Sequence, residues 1–199
     1  MNIRKARVLL LRLSAIPFVL LAVFVRPTWP VGSRIAFVVE FTGYLLLLAG
    51  LGIRMWSIFH IGGRKSRELV TEGPYSLCRN PLYVGTLLMV IGAGMCFENV
   101  PMLAAVLVVF VPVHLIAVRL EEKHLEALFP TDYPSYKRTV PRFLPRFRSY
   151  KRKDQLVVRL KTIRRIMVDT VAVLLLPEVE DLLEVLHEAG VIPVLWHFP

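Results

Sequence analysis

The chain of 199 residues is 55% hydrophobic and 20% charged, with a mean hydropathy of +0.57. A water-soluble domain of this length carries fewer apolar and more charged residues, so the composition excludes an ordinary soluble enzyme. The formal net charge of +10 raises nucleic acid as a partner, but the placement of the basic residues argues for topology and a lipid surface instead.

The apolar residues are gathered into runs. The first, "VLLLRLSAIPFVLLAVFV" (8–25), is nearly long enough to cross a bilayer core of about 30 Å. It has the basic start of a signal peptide, but Arg12 interrupts it and "RPTWPVG" offers no small-residue cleavage site, so a retained helix is expected. A Pro- and Gly-rich outer turn follows (26–34), with Trp29 as an interfacial anchor. The second run, "IAFVVEFTGYLLLLAGLGI" (35–53), extends as helix to about His60. The polar segment 61–80 then separates it from a third run (82–97) and a fourth (101–118). Only Glu98-Asn99-Val100 lies between those two, which predicts a tight antiparallel hairpin. "LEEKHLEALF" (120–129) has helical spacing, whereas "PTDYPSYKRTVPRFLPRF" (130–147), with its four prolines, is expected to be folded-back coil. A weaker run (166–176) reaches spanning length only if it starts near Leu160 or continues into "EVEDLLEVLHEAG" (178–190), an acidic amphipathic helix ended by Gly190.

The expected fold is therefore an all-α integral membrane protein with four to five transmembrane helices. Three regions follow: N-terminal helices (1–59), a core holding the hairpin (60–147), and a basic linker, possible fifth helix and acidic tail (148–199). With the N-terminus inside, 23 of the 25 basic residues fall on the cytoplasmic side, and only Arg26 and Arg34 fall outside. The expected protein is thus a multi-pass protein of the cell membrane, partnered by the lipid bilayer and not by nucleic acid. Cys78 and Cys96 lie on opposite faces in this topology, so no disulfide is expected, and no metal-ligand spacing occurs.

Two polar clusters stand at the cytoplasmic ends of the third and fourth helices. One is "RELVTEGPYSLCRNPLYVG" (67–85), where Arg79, Asn80 and Pro81 open a helix between Tyr75 and Tyr83; the other is "RLEEKHLEALFPTDYPSYKRTVPRFLP" (119–145), where Glu121 and Glu122 close one. The hairpin makes these clusters neighbours, so one pocket opens to the cytosol and, sideways, to lipid. His114, Ala117 and Glu121 share a helix face, because seven residues make almost two turns. An ionisable residue such as His114 inside a membrane helix is a candidate functional group.

The two motifs, in this order around the hairpin, resemble the isoprenylcysteine carboxyl methyltransferase family and the related phospholipid methyltransferases from about His60 to Pro145. The resemblance implies an S-adenosylmethionine-dependent enzyme acting on a lipophilic acceptor, either the carboxylate of a prenylcysteine-like substrate or a lipid headgroup. It implies cofactor contacts from His60, Arg67, Glu68, Leu69, Val70, Tyr75, Asn80, Pro81, Leu82 and Tyr83, with no metal. Glu121, which matches a family position that faces the substrate, and the intramembrane His114 are the catalytic candidates, and Glu121, Arg119 and Arg142 are the substrate-side candidates. Ala117 occupies the family's substrate-facing arginine position, and Arg119 lies about 200° round the helix from it. An alternative is a membrane reductase of the sterol reductase type that uses NADPH.

Overall fold

The computed structural model describes residues 23, 28–29, 33–64, 67–156, 158 and 160–193, and all regular structure among them is helical. The first apolar run lies almost wholly outside the described residues. Helix α1 (Arg34–Ile61) begins where the Ser33 hydroxyl accepts the Ala36 N–H at 3.1 Å, an N-cap bond. A one-turn helix α2 (Pro74–Leu77) follows Gly73, and α3 (Pro81–Cys96) starts on a proline that has no N–H to leave unpaired. The turn to α4 (Val100–Leu128) is as tight as its sequence predicts. Glu98 adopts φ 47°, and Asn99 Oδ1 caps the new helix by accepting Met102 N–H at 2.8 Å.

Helices α1 and α4 are long and apolar enough to cross a membrane, and α3 is a shorter apolar helix. Phe37, Val38, Phe41 and Leu45 on α1, and Val108, Ile116 and Leu120 on α4, are exposed. Hydrocarbon surroundings suit such faces, whereas water would penalise them. The run expected as a fifth span is divided at Leu175 into α6 (Leu160–Leu174) and α7 (Leu176–Glu188), and Pro177 stands in the first turn of the latter. Neither reaches the roughly 20 residues that a crossing needs.

The expectation of coil over 130–147 is corrected: Asp132–Thr139 is a helix, α5. Pro134 falls in its first turn, where a missing N–H costs nothing, and Asp132 and Lys137-Arg138 sit at the ends that the helix dipole favours. Tyr133, Tyr136 and Val140 form one buried face against Leu69, Leu125 and Phe129.

The described residues group into two compact units, which are taken separately. The first contains those within 1–47, 90–112 and 174–199. In it Gly43 meets Gly92 so closely that a Cβ on Gly43 would stand 2.8 Å from the Gly92 carbonyl oxygen, and Phe97 and Met102 pack with Val90, Phe110 and Leu183. The second unit contains those within 48–89 and 113–173. There a Cβ on Gly50 would stand 2.5 Å from the Gly85 carbonyl oxygen, and Arg54 donates to the Thr86 hydroxyl.

Candidate functional site

The site lies wholly in the second unit and begins with a backbone zipper. Arg79 N–H donates to Pro141 C=O at 2.8 Å, Arg146 N–H to Leu77 C=O at 3.0 Å and Gly73 N–H to Lys151 C=O at 2.8 Å. The Ser76 hydroxyl joins the last rung, donating to Gly73 C=O at 2.6 Å and accepting Lys151 N–H at 2.9 Å. The segment 141–151 is thereby laid antiparallel along 73–79. This satisfies backbone groups of irregular chain that a buried site would otherwise leave unpaired. Gly73 is obligatory in this arrangement. It has φ 58° and ψ −131°, and a Cβ would stand 2.1 Å from His60 Nε2.

Glu122 is the hub. Its carboxylate accepts Arg79 Nε at 3.1 Å, Asn80 Nδ2 at 3.0 Å, and Arg142 Nε and Nη2 at 3.1 and 2.6 Å. Arg79 also donates through Nη1 to the carbonyls of Lys137 and Val140, at 2.6 and 3.0 Å. The side chains of Glu122 and Arg79 are only 6% and 9% exposed, so two cations and an amide offset the desolvation of one carboxylate. Arg142 is the more exposed partner, and the hydrogen bond to Glu122 raises its pKa further. Sequence reasoning placed Arg142 with Glu121 on the substrate side and missed Glu122 as a site residue. The single cue was the adjacency of two acids at one helix end.

Glu121, about 100° round the helix from Glu122, makes a different contact. Tyr83 Oη donates to Glu121 Oε2 at 2.8 Å, and the Tyr83 ring meets the His114 ring edge-on at 5.7 Å between centroids. Tyr83 of the first motif, Glu121 of the second and His114 of the shared face are thus one cluster, as the sequence grouping anticipated. Tyr83, expected on the cofactor side, thus touches Glu121, expected on the substrate side.

The remaining candidates divide. His60 is buried, with Nδ1 2.9 Å from the Trp56 carbonyl oxygen, so Nδ1 carries the proton and Nε2 faces Gly73. Val70 is buried and Leu69 packs on the tyrosine face of α5. Arg67 and Glu68 are exposed, and Glu68 pairs with Arg64. Pro81 and Leu82 supply backbone at the start of α3, where the Leu82 carbonyl accepts the Thr86 hydroxyl at 2.7 Å. Of the substrate-side candidates, Arg119 is exposed and Arg142 is held by Glu122.

Two hydroxyls are buried without a hydrogen-bond partner among the described residues, those of Tyr75 and Tyr133. Burial keeps Tyr75 protonated by raising its pKa, with the charge of Glu121 the next cause, and pushes Tyr133 up to about 12. A buried donor of this kind is costly unless a ligand or water completes it. The Tyr75 hydroxyl, with Asn80 and Tyr83 nearby in sequence, therefore fits a polar ligand such as the expected cofactor. Among the described residues no group of three or more His, Cys, Asp or Glu side chains is placed to hold a metal ion.

Comparison with known proteins bears on this arrangement. The family model for phospholipid methyltransferase matches residues 35–132. The cobalt-zinc-cadmium resistance protein CzcN of Cupriavidus metallidurans is 36% identical over 154 residues, covering 74% of this chain and 71% of that protein. The nickel-cobalt-cadmium resistance protein NccN of Alcaligenes xylosoxydans xylosoxydans is 32% identical over 161 residues, covering 78% and 75%. No solved structure gives a significant match. The matched region holds α1, α3, α4 and both acids of the Glu121-Glu122 pair. With its long apolar helices and its two motifs meeting at Tyr83 and Glu121, the chain is a membrane protein of the phospholipid methyltransferase family, within the isoprenylcysteine carboxyl methyltransferase-like superfamily.

Proposed function

We propose that this protein transfers a methyl group from S-adenosylmethionine to a headgroup amine of a membrane lipid or similar lipophilic acceptor. The observation that supports this reading best is the hydrogen bond from Tyr83 to Glu121, one residue from each motif. Bound in the site, S-adenosylmethionine would supply a methyl group activated by its positively charged sulfur. Tyr75, Asn80, Tyr83 and His60, with the apolar Leu69 and Val70, are the residues that would hold it. Glu121 orients the acceptor and accepts its proton, with Tyr83 fixing the carboxylate oxygen and His114 packing behind that ring.

An amine is preferred over a carboxylate on electrostatic grounds. A prenylcysteine carboxylate would approach the like charge of Glu121, with Ala117 at the position of the expected cation and Arg79 and Arg142 engaged by Glu122. A cationic headgroup meets a carboxylate instead. In this reading the chain is multi-pass with a cytoplasmic N-terminus, and lipid acceptors enter from the bilayer. The names of the two relatives attach them to cobalt, zinc, nickel and cadmium resistance. By extension, methylation by this chain serves tolerance of such metals by altering an acceptor.

Calorimetric titration of the purified protein with S-adenosylhomocysteine and with NADPH tests the cofactor. We expect roughly micromolar affinity, about −8 kcal/mol, for the sulfur ligand, weakened in Asn80→Ala. Binding of NADPH alone would replace the proposal with a reductase. Lipid extracts from cells fed labelled methionine, with and without the gene, identify the acceptor.

A further inference from the structure

We infer that the segment from Leu144 to Leu174 is a seat for anionic phospholipid headgroups, lying in the membrane surface and gripping it by charge and by wedge-like apolar side chains. The inference stands apart from the methyl-transfer reading. Between Arg146 and Arg165 the sequence places nine basic residues and one acid, Asp154. That acid is paired with Arg152 at 3.2 Å, while Lys153 reaches Glu72 at 3.6 Å. Arg146, Arg148, Lys151 and Arg164 are exposed and have no carboxylate within salt-bridge distance among the described residues.

Large apolar residues are interleaved with these cations and are equally open. Leu144 is 81% exposed, Phe147 75%, Leu160 83% and Met167 64%. This is not a loose tail. Backbone bonds from Arg146 to Leu77 and between Lys151 and the Gly73–Ser76 turn hold the first half in place, and the Trp56 and Tyr150 rings stand 6.1 Å apart.

Helix α6 divides its circumference in three. Ile166 and Val173 are buried, and the Thr170 hydroxyl lies 3.9 Å from Met55 Sδ, so one face rests on the protein. Leu160, Ile163, Met167 and Val171 form a second face that is open. The exposed Arg164 and the position of Lys161 lie beside this face on the side away from the buried one, and the position of Arg165 falls nearly opposite the open face. Apolar and basic faces side by side are the pattern of a helix lying in a membrane interface. The 15 residues of α6 rise only about 22 Å, too little to cross. Charge complementarity selects the occupant: nine cations against two acids, Asp154 and Asp169, favour anionic over zwitterionic lipid, and the exposed Phe147 and Tyr150 suit headgroup depth.

The test uses the full-length protein in vesicles of phosphatidylcholine with or without phosphatidylglycerol. A single environment-sensitive fluorophore is attached at Phe147→Cys or Met167→Cys; the native Cys78 and Cys96 are buried and resist labelling. We expect quenching by spin-labelled lipids at shallow depth, and not at the bilayer centre. The triple variant Arg148→Gln/Lys151→Gln/Arg164→Gln should lose the preference for phosphatidylglycerol, measured as co-purifying lipid, by about tenfold or more. The surface control Lys123→Gln/Arg138→Gln should keep it. Quenching at the bilayer centre would make this region a membrane span, and absence of quenching would give it to water or a second copy of the chain. Equal lipid selectivity in the triple variant and the control would remove headgroup recognition. Any of these three results overturns the inference.

Discussion

Replacing Glu122 by glutamine isolates the charge of the hub while keeping its shape. Glutamine still offers one oxygen to Asn80 and Arg79, and Arg79 retains its bonds to the carbonyls of Lys137 and Val140. What is lost is the negative charge beside a guanidinium whose side chain is 9% exposed. Leaving a buried cation uncompensated costs about 3–5 kcal/mol, and the retained hydrogen bonds place this case near the lower end. Arg142 is different. Its side chain is 38% exposed, so Arg142→Gln should cost about 1 kcal/mol or less. For a chain of this size those values correspond to falls in Tm of roughly 6–12 °C and at most about 4 °C. Thermal unfolding of the detergent-solubilised protein, followed by intrinsic fluorescence, measures both. The double variant should be no less stable than Glu122→Gln by more than about 0.5 kcal/mol, because Arg142 has then already lost its partner. Equal losses for the two single variants, or a neutral Glu122→Gln, would refute the assignment of Glu122 as the buried counter-ion of Arg79.

Glu121→Gln should leave Tm nearly unchanged, since the amide oxygen still accepts the Tyr83 hydroxyl, and should lower turnover per folded enzyme about 100-fold. Retained turnover in methyl-transfer assays would take Glu121 off the catalytic list. Gly73→Ala should cost more than about 2 kcal/mol, through its backbone conformation and the clash with His60, and the melting temperature reports it. Glu98 has its carboxyl raised from 4.5 to about 7 by burial first, then by the charges of Glu40 and Glu184. Folding therefore favours its protonated form, and that stability is present at low pH and lost as pH climbs from 4.5 through 7. A pH series of melting curves should show this slope, and Glu98→Gln should flatten it.

The helices that cross apolar surroundings were readable from composition alone, because a run such as 101–118 has no other stable home and a three-residue break leaves no room for anything but a hairpin. The two motifs at the helix ends were equally plain, since Arg79-Asn80, Tyr83 and Glu121-Glu122 put polar groups at the ends of apolar runs. Which of two adjacent acids meets the arginines was not. One residue is about 100° of rotation, and the rotational setting of α4 depends on contacts far away in sequence. The helix at 132–139 was missed for a related reason: four prolines read as breakers, but one stands in a first turn and the others lie outside the helix. Lys151 was missed as well, because its part is played by its backbone, which no side-chain pattern announces.

The contact between Gly50 and Gly85 carries a practical lesson for anyone screening variants of this protein. Gly85 stands two residues beyond Tyr83, and its backbone is pressed against α1 with no room for even a methyl group. An alanine there must push the start of α3 outward or sideways, and Asn80 and Tyr83 travel with it. A displacement of 1 Å at reacting groups is enough to cost a large factor in rate. Loss-of-activity screens will therefore return these two glycines beside Glu121. They set the ruler along which the chemistry is measured, and a second-site suppressor should appear on the opposite helix rather than in the pocket.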